Sequence, residues 1–237
     1  FPDRRSAEIT YKLTGAWGQL FNDVLAYARE LVERSEGQDL REQRMNWWAA
    51  LALLRCISSS PAAAVNALRT RLQGALGEDG GAEAPSLEEF EAQASDRVLD
   101  GTDDALSTDD IEPGAQTEDS QRLQALMASA AALAGQQNDP KLAKLQEHVA
   151  LLLKEGFQPV VFCRYIATAH YLAAALQEKF KAVTVKAVTG ELTPDEREAA
   201  VDQLGESDSR VLVATDCLSE GINLQGLFTA VVHYDLS

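Results

Sequence analysis

Polar motifs follow three apolar runs in the last third of the sequence. The motifs are Arg164-Tyr165, Thr189-Gly190, and Thr215-Asp216 followed by residues 219–223. Glycine has no Cβ, so Gly190 lets a backbone or ligand approach closely. A helix predicted to begin at Pro194 offers N–H groups that could hold a phosphate, although Asp195 and Glu196 already use that positive end. These residue types indicate a binding site at the ends of the runs.

The apolar runs themselves predict a parallel sheet. Residues 160–163, 183–188, 211–215 and 230–234 are β-branched and lack polar alternation, which is typical of strands buried on both faces. Helical patterns separate the first three, giving a β-α-β-α-β order. Ligands bind at the carboxyl ends of such strands, and this is where the polar motifs fall.

Helix signals support that order. Asp139-Pro140 is predicted to cap a helix that Gly156 ends, directly before the first strand. Thr168 is predicted to cap the next helix, and residues 193–196 form a capping box for the one after it.

The ordered motifs resemble the second RecA-like domain of superfamily 2 helicases, particularly bacterial SNF2-like translocases. VVFCRYIATAHYL is similar to motif IV, VTGELTPDER to the segment after it, and VLVATDCLSEGINLQ to motif V. The sequence ends at HYDLS, where relatives continue into the Q-x-x-G-R-x-x-R of motif VI. The expectation is an α/β fragment of a larger translocase, with a truncated RecA-like domain at residues 139–237.

The resemblance implies roles for individual residues. Thr215 and the backbone after it, including Asp216, contact a DNA phosphate. Gly221 permits a tight turn, and Asn223 reaches toward the ATP ribose. The proposed DNA-binding set is completed by Arg164, Thr189, Gly190 and Arg197. By the same resemblance, the region of Arg164 faces either the nucleic-acid strand or the adenine side of the nucleotide. For Arg164 the alternative is a surface arginine packed on Tyr165, and for Arg197 it is a structural salt bridge.

Most of the net negative charge comes from one segment. The net charge is −16, and residues 77–119 contain 15 acidic residues and one basic residue, which leaves 22 acidic and 20 basic residues elsewhere. The remainder is nearly neutral, so the acidity says little about the strand-end surface. Residues 77–119 are predicted to be a mostly disordered loop, because few apolar residues are present to offset the entropy of ordering.

The N-terminal region, residues 1–76, is predicted to be helical. Apolar residues repeat at three- and four-residue steps over residues 17–32, 40–57 and 61–76, and the pattern resembles the helical region between the RecA-like domains of bacterial SNF2-like proteins. Trp47-Trp48 could stack on a base, but helical spacing favours core packing. Residues 120–138 are predicted to be a connecting helix.

Several patterns that suggest catalysis are rejected. Asp195-Glu196 follows Thr-Pro at a helix start, not an apolar strand, so it is not helicase motif II. GALGEDGG lacks the Lys-Ser/Thr of a phosphate loop. Cys217 and His233 have neither the adjacent base nor the exposure that a nucleophilic pair needs. No catalytic or metal-binding residue is therefore assigned.

The predicted function is that of a helicase or translocase half. The parent would bind ATP and Mg²⁺, grip double-stranded DNA and close against its own first RecA-like domain. One alternative is a non-enzymatic interaction module for transcription machinery or a DNA-processing protein, and another is a small-nucleotide-binding domain. A cytoplasmic location without a membrane is expected, because no apolar run approaches ~20 residues and the three cysteines are spaced like free thiols.

Overall fold

The computed structural model describes residues 8, 10–12, 15–35, 37, 40–75, 119–215, 218 and 224–235. These residues form a layer of helices and an α/β part built on a parallel sheet, so the predicted fold class is confirmed. The predicted acidic loop lies outside the described residues, apart from Asp119. No helix in the described ranges is long and apolar enough to cross a bilayer.

Among the described residues, four helices make up the helical layer: α1 (Gly15–Arg34), α2 (Leu40–Ser59), α3 (Pro61–Ala75) and α4 (Ser120–Ala132). They share one core, because each presents an apolar stripe to its neighbours. Its largest fully buried members include Trp17, Tyr27, Leu53, Ile57, Leu68 and Leu123. Helix α4 packs on α3 and α1, so the segment predicted as a connection contributes to this core.

The two tryptophans of α2 do not pack in that core, contrary to the prediction from their spacing. Trp47 is 47% exposed, and its ring meets the edge of Trp48 with centroids 5.1 Å apart. The buried stripe of α2 runs instead through Ala49, Ala50 and Leu53. A helix buries one face only, and this register places the tryptophans on the flank.

The α/β part alternates helices and strands. Its elements are α5 (Pro140–Lys154), β1 (Pro159–Phe162), α6 (Ile166–Lys179), β2 (Thr184–Val188), α7 (Pro194–Gly205), β3 (Arg210–Ala214) and β4 (Ala230–His233). The strand order is β2-β3-β1-β4, and all three pairings are parallel. Strand β3 therefore inserts between the two strands that precede it in the chain.

Only the central strands are buried on both faces. The β3 residues Val211 to Ala214 and the β1 residues Val160 and Val161 are at most 1% exposed. In β2 and β4 most residues are half-buried or exposed, and Val231 of β4 is 60% exposed. The prediction of two-sided burial is therefore wrong for β2 and β4, because each is an edge strand with one neighbour among the described residues.

Helices cover the two faces of the sheet. Helices α5 and α6 pack on one face, with Leu142, Val149 and Leu172 fully buried, and α7 packs on the other with Val201 and Leu204. These layers leave the carboxyl ends of the strands at one edge.

Most of the predicted helix ends are confirmed. The Asp139 carboxylate accepts hydrogen bonds from the N–H groups of Lys141 and Leu142 at 2.9 and 3.0 Å. Gly156 ends α5 with φ +86°, a conformation that glycine adopts without strain. The prediction for Thr168 is wrong: α6 begins at Ile166, and Thr168 lies inside it, fully buried.

Candidate nucleic-acid interface

The carboxyl ends of the four strands are level with one another. Val188, Ala214, Phe162 and His233 are successive partners across the sheet. One residue further along, the Thr215 N–H donates to the Val188 carbonyl at 3.4 Å, and the Tyr234 N–H donates to the Phe162 carbonyl at 2.8 Å. The structure therefore aligns the residues that follow the strands in one row: Thr189, Thr215, Cys163 and Tyr234.

The end of β2 carries a hydrogen-bonded group of polar side chains. Thr189 is 2% exposed, and its Oγ1 donates to Oε2 of Glu191 at 3.1 Å. The same carboxylate oxygen lies 2.7 Å from Nε2 of His170 in α6, and both of those side chains are more than half exposed. The hydrogen bond from His170, reinforced by Thr189, lowers the pKa of Glu191. The Thr189 hydroxyl proton is thus used within the protein, and a carboxylate borders the predicted interface.

Arg197 supports the turn after β2. It lies in α7, is half-buried, and donates from Nη2 to the Gly190 carbonyl at 3.3 Å. This contact connects a cationic side chain to the backbone that Gly190 brings to the edge. The arginine therefore orders the turn while remaining partly accessible.

The start of α7 already uses its own capping groups. Thr193 Oγ1 accepts a bond from the Glu196 N–H, and the Glu196 carboxylate accepts one from the Thr193 N–H at 2.8 Å. The Thr193 N–H group is the main cause that lowers the pKa of Glu196. A phosphate at this helix start would compete with a formed capping box, as the acidic pair in the sequence indicates.

The end of β1 faces the helical layer. The Tyr165 ring packs against the core of that layer, and burial raises the pKa of its hydroxyl. Arg164 is half-buried, and its N–H donates to Oδ2 of Asp235 at 2.9 Å. Tyr165 is therefore an attachment point between the two parts of the chain, which its sequence position did not reveal.

The motif V residues are only partly described. Thr215 is 6% exposed, and its carbonyl accepts a bond from the Leu218 N–H at 3.4 Å. Asp216, Gly221 and Asn223 lie outside the described residues. The structure thus places Thr215 next to Thr189 across the β2–β3 pair. Gly190, bonded to Arg197, follows Thr189, and Arg164 follows the neighbouring strand β1. The nucleotide contacts remain a prediction.

This edge contains some of the residue types that contact phosphate groups in other proteins. Proteins use arginine side chains, threonine hydroxyls and backbone N–H groups for phosphate contacts. At this edge the Thr189 hydroxyl and the start of α7 are already bonded within the protein, whereas Arg197 is a partly accessible cation. Among the residues with described positions, no group of three histidine, cysteine or carboxylate side chains is arranged to hold a metal ion. His170 and Glu191 were not found from sequence, because 21 residues separate them.

The sequence of the α/β part matches a known protein family. Residues 140–237 match the model of the helicase conserved C-terminal domain. The chain is 29% identical over 100 residues to the pre-mRNA-splicing ATP-dependent RNA helicase PRP28 of Candida glabrata, a match covering 42% of this chain and 16% of that protein. It is 35% identical over 79 residues to the ATP-dependent RNA helicase FAL1 of Candida albicans, covering 33% and 19%. The match thus spans less than a fifth of these relatives.

Two solved structures share the fold over nearly the whole chain. The Pyrococcus furiosus Hef helicase domain has a TM-score of 0.53 at 16% identity and covers 94% of this chain and 48% of its own. The C-terminal part of the Fun30 ATPase domain has a TM-score of 0.51 at 14% identity, covering 95% and 73%. Residues 140–237 therefore match the helicase conserved C-terminal domain in sequence, and the chain shares its fold with these two structures.

Proposed function

We propose that this chain is the second RecA-like half, with its helical layer, of an ATP-dependent helicase or translocase. The observation that carries the proposal is the level row of strand ends, in which Thr189 and Thr215 lie on adjacent strands. In this arrangement Thr215, Gly190 and Arg197 contact the phosphates of one nucleic-acid strand. Gly221 and Asn223 contribute to the nucleotide side, and the first RecA-like domain of the parent supplies the phosphate loop and the Mg²⁺ site.

Double-stranded DNA is the proposed substrate. The helical region of this sequence resembles that of bacterial SNF2-like translocases, whereas the alignments with the two RNA helicases cover only 42% and 33% of the chain. RNA is the second candidate, because those relatives are named as RNA helicases. The two substrates are distinguished by direct binding to the full chain.

The test measures binding of fluorescent duplex DNA, duplex RNA and single-stranded RNA of equal length over a range of salt concentrations. We expect the double variant Thr215→Ala/Arg197→Ala to bind more weakly and with a shallower salt dependence. Removing one phosphate contact lowers the log–log slope by roughly 0.7–0.9 units.

The control is the double variant Thr184→Ala/Lys154→Ala, which likewise removes one threonine hydroxyl and one positive charge. Thr184 begins β2, and the exposed Lys154 ends α5, so both lie toward the opposite edge of the sheet. An equal weakening of binding in the two double variants would contradict the proposed interface at the carboxyl edge. Tighter binding of RNA than of duplex DNA would identify RNA as the substrate.

A further inference from the structure

A buried polar cluster joins the helical layer to the carboxyl edge of the sheet. It is formed by Ser59, Ser60, Lys141, Thr168 and Asp235, which we call the polar junction. The first four residues are at most 6% exposed, and the Asp235 side chain is 11% exposed. They come from the turn between α2 and α3, from α5, from α6 and from the segment directly after β4. The junction therefore joins four separate places in the chain.

Lys141 uses all three of its ammonium protons within this cluster. Its Nζ donates to the carbonyls of Ser58 and Ser59 at 3.1 Å each and to Oδ1 of Asp235 at 2.7 Å. Those carbonyls end α2, where the last groups of a helix have no partner inside it and carry partial negative charge. Lys141 thus caps a helix of one part of the chain from the first turn of a helix in the other.

The hydroxyl groups form a chain with one consistent direction. Ser59 Oγ donates its single proton to Oδ2 of Asp235 at 2.8 Å. Thr168 Oγ1, which lies 2.8 Å from Ser59 Oγ, must therefore be the donor there, and Ser60 Oγ must donate to Thr168 across 2.7 Å. Ser60 Oγ in turn accepts from the Ala63 N–H at 3.0 Å. Each hydroxyl proton is therefore used, and this series of hydrogen bonds ends on the Asp235 carboxylate.

Asp235 also reaches the predicted nucleic-acid edge. Its Oδ2 accepts the Arg164 N–H at 2.9 Å, in addition to the Ser59 hydroxyl. One carboxylate thus holds the α2–α3 turn, the first turn of α5 and the backbone that follows β1. Rotation of the helical layer against the sheet would break several of these bonds together.

A buried ionic cluster is a costly way to hold two surfaces together. Apolar residues of similar volume are often as stabilising or more so, because desolvation offsets the attraction between the charges. Fully satisfied polar networks instead select one geometry, since each group left unpaired by a displacement carries a penalty. The contact at the polar junction is therefore suited to fixing an orientation.

We propose that Asp235 is a positioning residue that fixes the helical layer on the carboxyl edge of the sheet, so that both parts of the chain behave as one rigid unit. This inference goes beyond nucleic-acid binding and does not depend on it. In any motion of the parent protein, the helical layer would then follow the sheet edge to which Arg164 belongs.

The test compares the unfolding of the two parts in the full 237-residue chain. All three tryptophans lie in α1 and α2, so their fluorescence reports the helical layer alone. Amide exchange of β3 residues reports the sheet. We expect both probes to give one urea midpoint in the unmodified chain and two separate midpoints in Asp235→Asn. We also expect the Arg164 amide to exchange about tenfold faster in that variant, because its acceptor is weakened.

The matched control is Asp119→Asn. Asp119 is also a buried aspartate in an ion pair, but its partner Arg34 belongs to the same helical layer. This variant should lower stability without separating the two midpoints. If Asp235→Asn does not fold, Thr168→Val removes the hydroxyl contacts at nearly constant volume and should give the same separation. Coincident midpoints in a folded junction variant, or separate midpoints in the unmodified chain, would overturn the proposal.

Discussion

At the scale of single residues, a hydrogen-bonded carboxylate at the end of β2 lies beside a predicted phosphate-binding surface. Glu191 accepts bonds from His170 and Thr189, and these bonds favour its ionised form. An ionised carboxylate repels a nearby phosphate, and hydrogen-bond donors beside the carboxylate only reduce that repulsion. His170 and Thr189 therefore fix the Glu191 carboxylate next to the turn at Gly190 and supply its hydrogen bonds.

This arrangement predicts a site-specific change in pKa. Replacing His170 by alanine removes the main cause of the lowered pKa of Glu191, so its pKa should rise toward the usual value. In the unmodified chain the pair stabilises the fold above the usual glutamate pKa, and this stability is lost as pH falls through the lowered pKa of the folded state. Carboxyl NMR shifts followed across an acid titration measure the midpoint.

Glu196 is the internal control for that titration. Its pKa is lowered by Thr193 and not by His170, so its midpoint should stay the same in the variant. A shift of both glutamates by equal amounts would indicate a general change in the fold, and no shift in either would show that the histidine bond does not form in solution.

At the scale of elements, helix ends and strand runs were predictable because their signals are local. Asp139 and the Thr193–Glu196 box cap their helices as the sequence indicates. The strand order was not predictable, because the placement of β3 between β2 and β1 depends on packing of the whole sheet. Thr168 shows how a local signal fails: a threonine before an apolar pattern suggests a cap, yet its hydroxyl serves a neighbouring helix.

The end of α5 offers a direct test of one local signal. Gly156 has φ +86°, and its N–H donates to the Leu153 carbonyl at 3.1 Å as the chain turns toward β1. An alanine in this conformation should cost about 1–2 kcal/mol, because its Cβ crowds the following carbonyl. Urea unfolding of Gly156→Ala measures the decrease in stability.

Gly226→Ala serves as the control for that variant. Gly226 does not have a positive φ, and a Cβ added there meets no atom within 4 Å. Its replacement should change stability by no more than about 0.5 kcal/mol. Similar destabilisation at the two positions would mean that the turn at Gly156 is not the source of the effect.

At the scale of the whole molecule, the contacts that join the two parts connect distant residues. The bond from Ser59 to Asp235 spans 176 residues, and Lys141 reaches Asp235 across 94. No pattern within a short window of sequence indicates such pairs. The motif residues at the strand ends were predictable from sequence for a different reason: parallel strands bring their carboxyl ends to one edge, whatever their order.

The whole chain is expected to hydrolyse no ATP above background, with or without duplex DNA or RNA. Phosphoryl transfer needs a phosphate cradle with its lysine, a metal-binding aspartate and cationic stabilisation of the transferred group. The sequence contains no G-x-x-x-x-G-K-[ST] pattern and no Asp-Glu pair directly after an apolar strand. Phosphate release by the purified chain measures this directly. Turnover well above background would require another active site and would contradict the assignment of this chain as a half of the enzyme.

The two edges of the sheet differ in their chemistry. Strand β2 carries Lys186, a charged residue of the kind that discourages further strands from adding to an edge. Strand β4 consists of Ala230, Val231, Val232 and His233, and it pairs only with β1 among the described residues. Its outward backbone groups and the exposed Val231 therefore form the surface at which copies of this chain are expected to aggregate in concentrated solution. A lysine at Val231 would improve colloidal stability without touching either the polar junction or the row of strand ends.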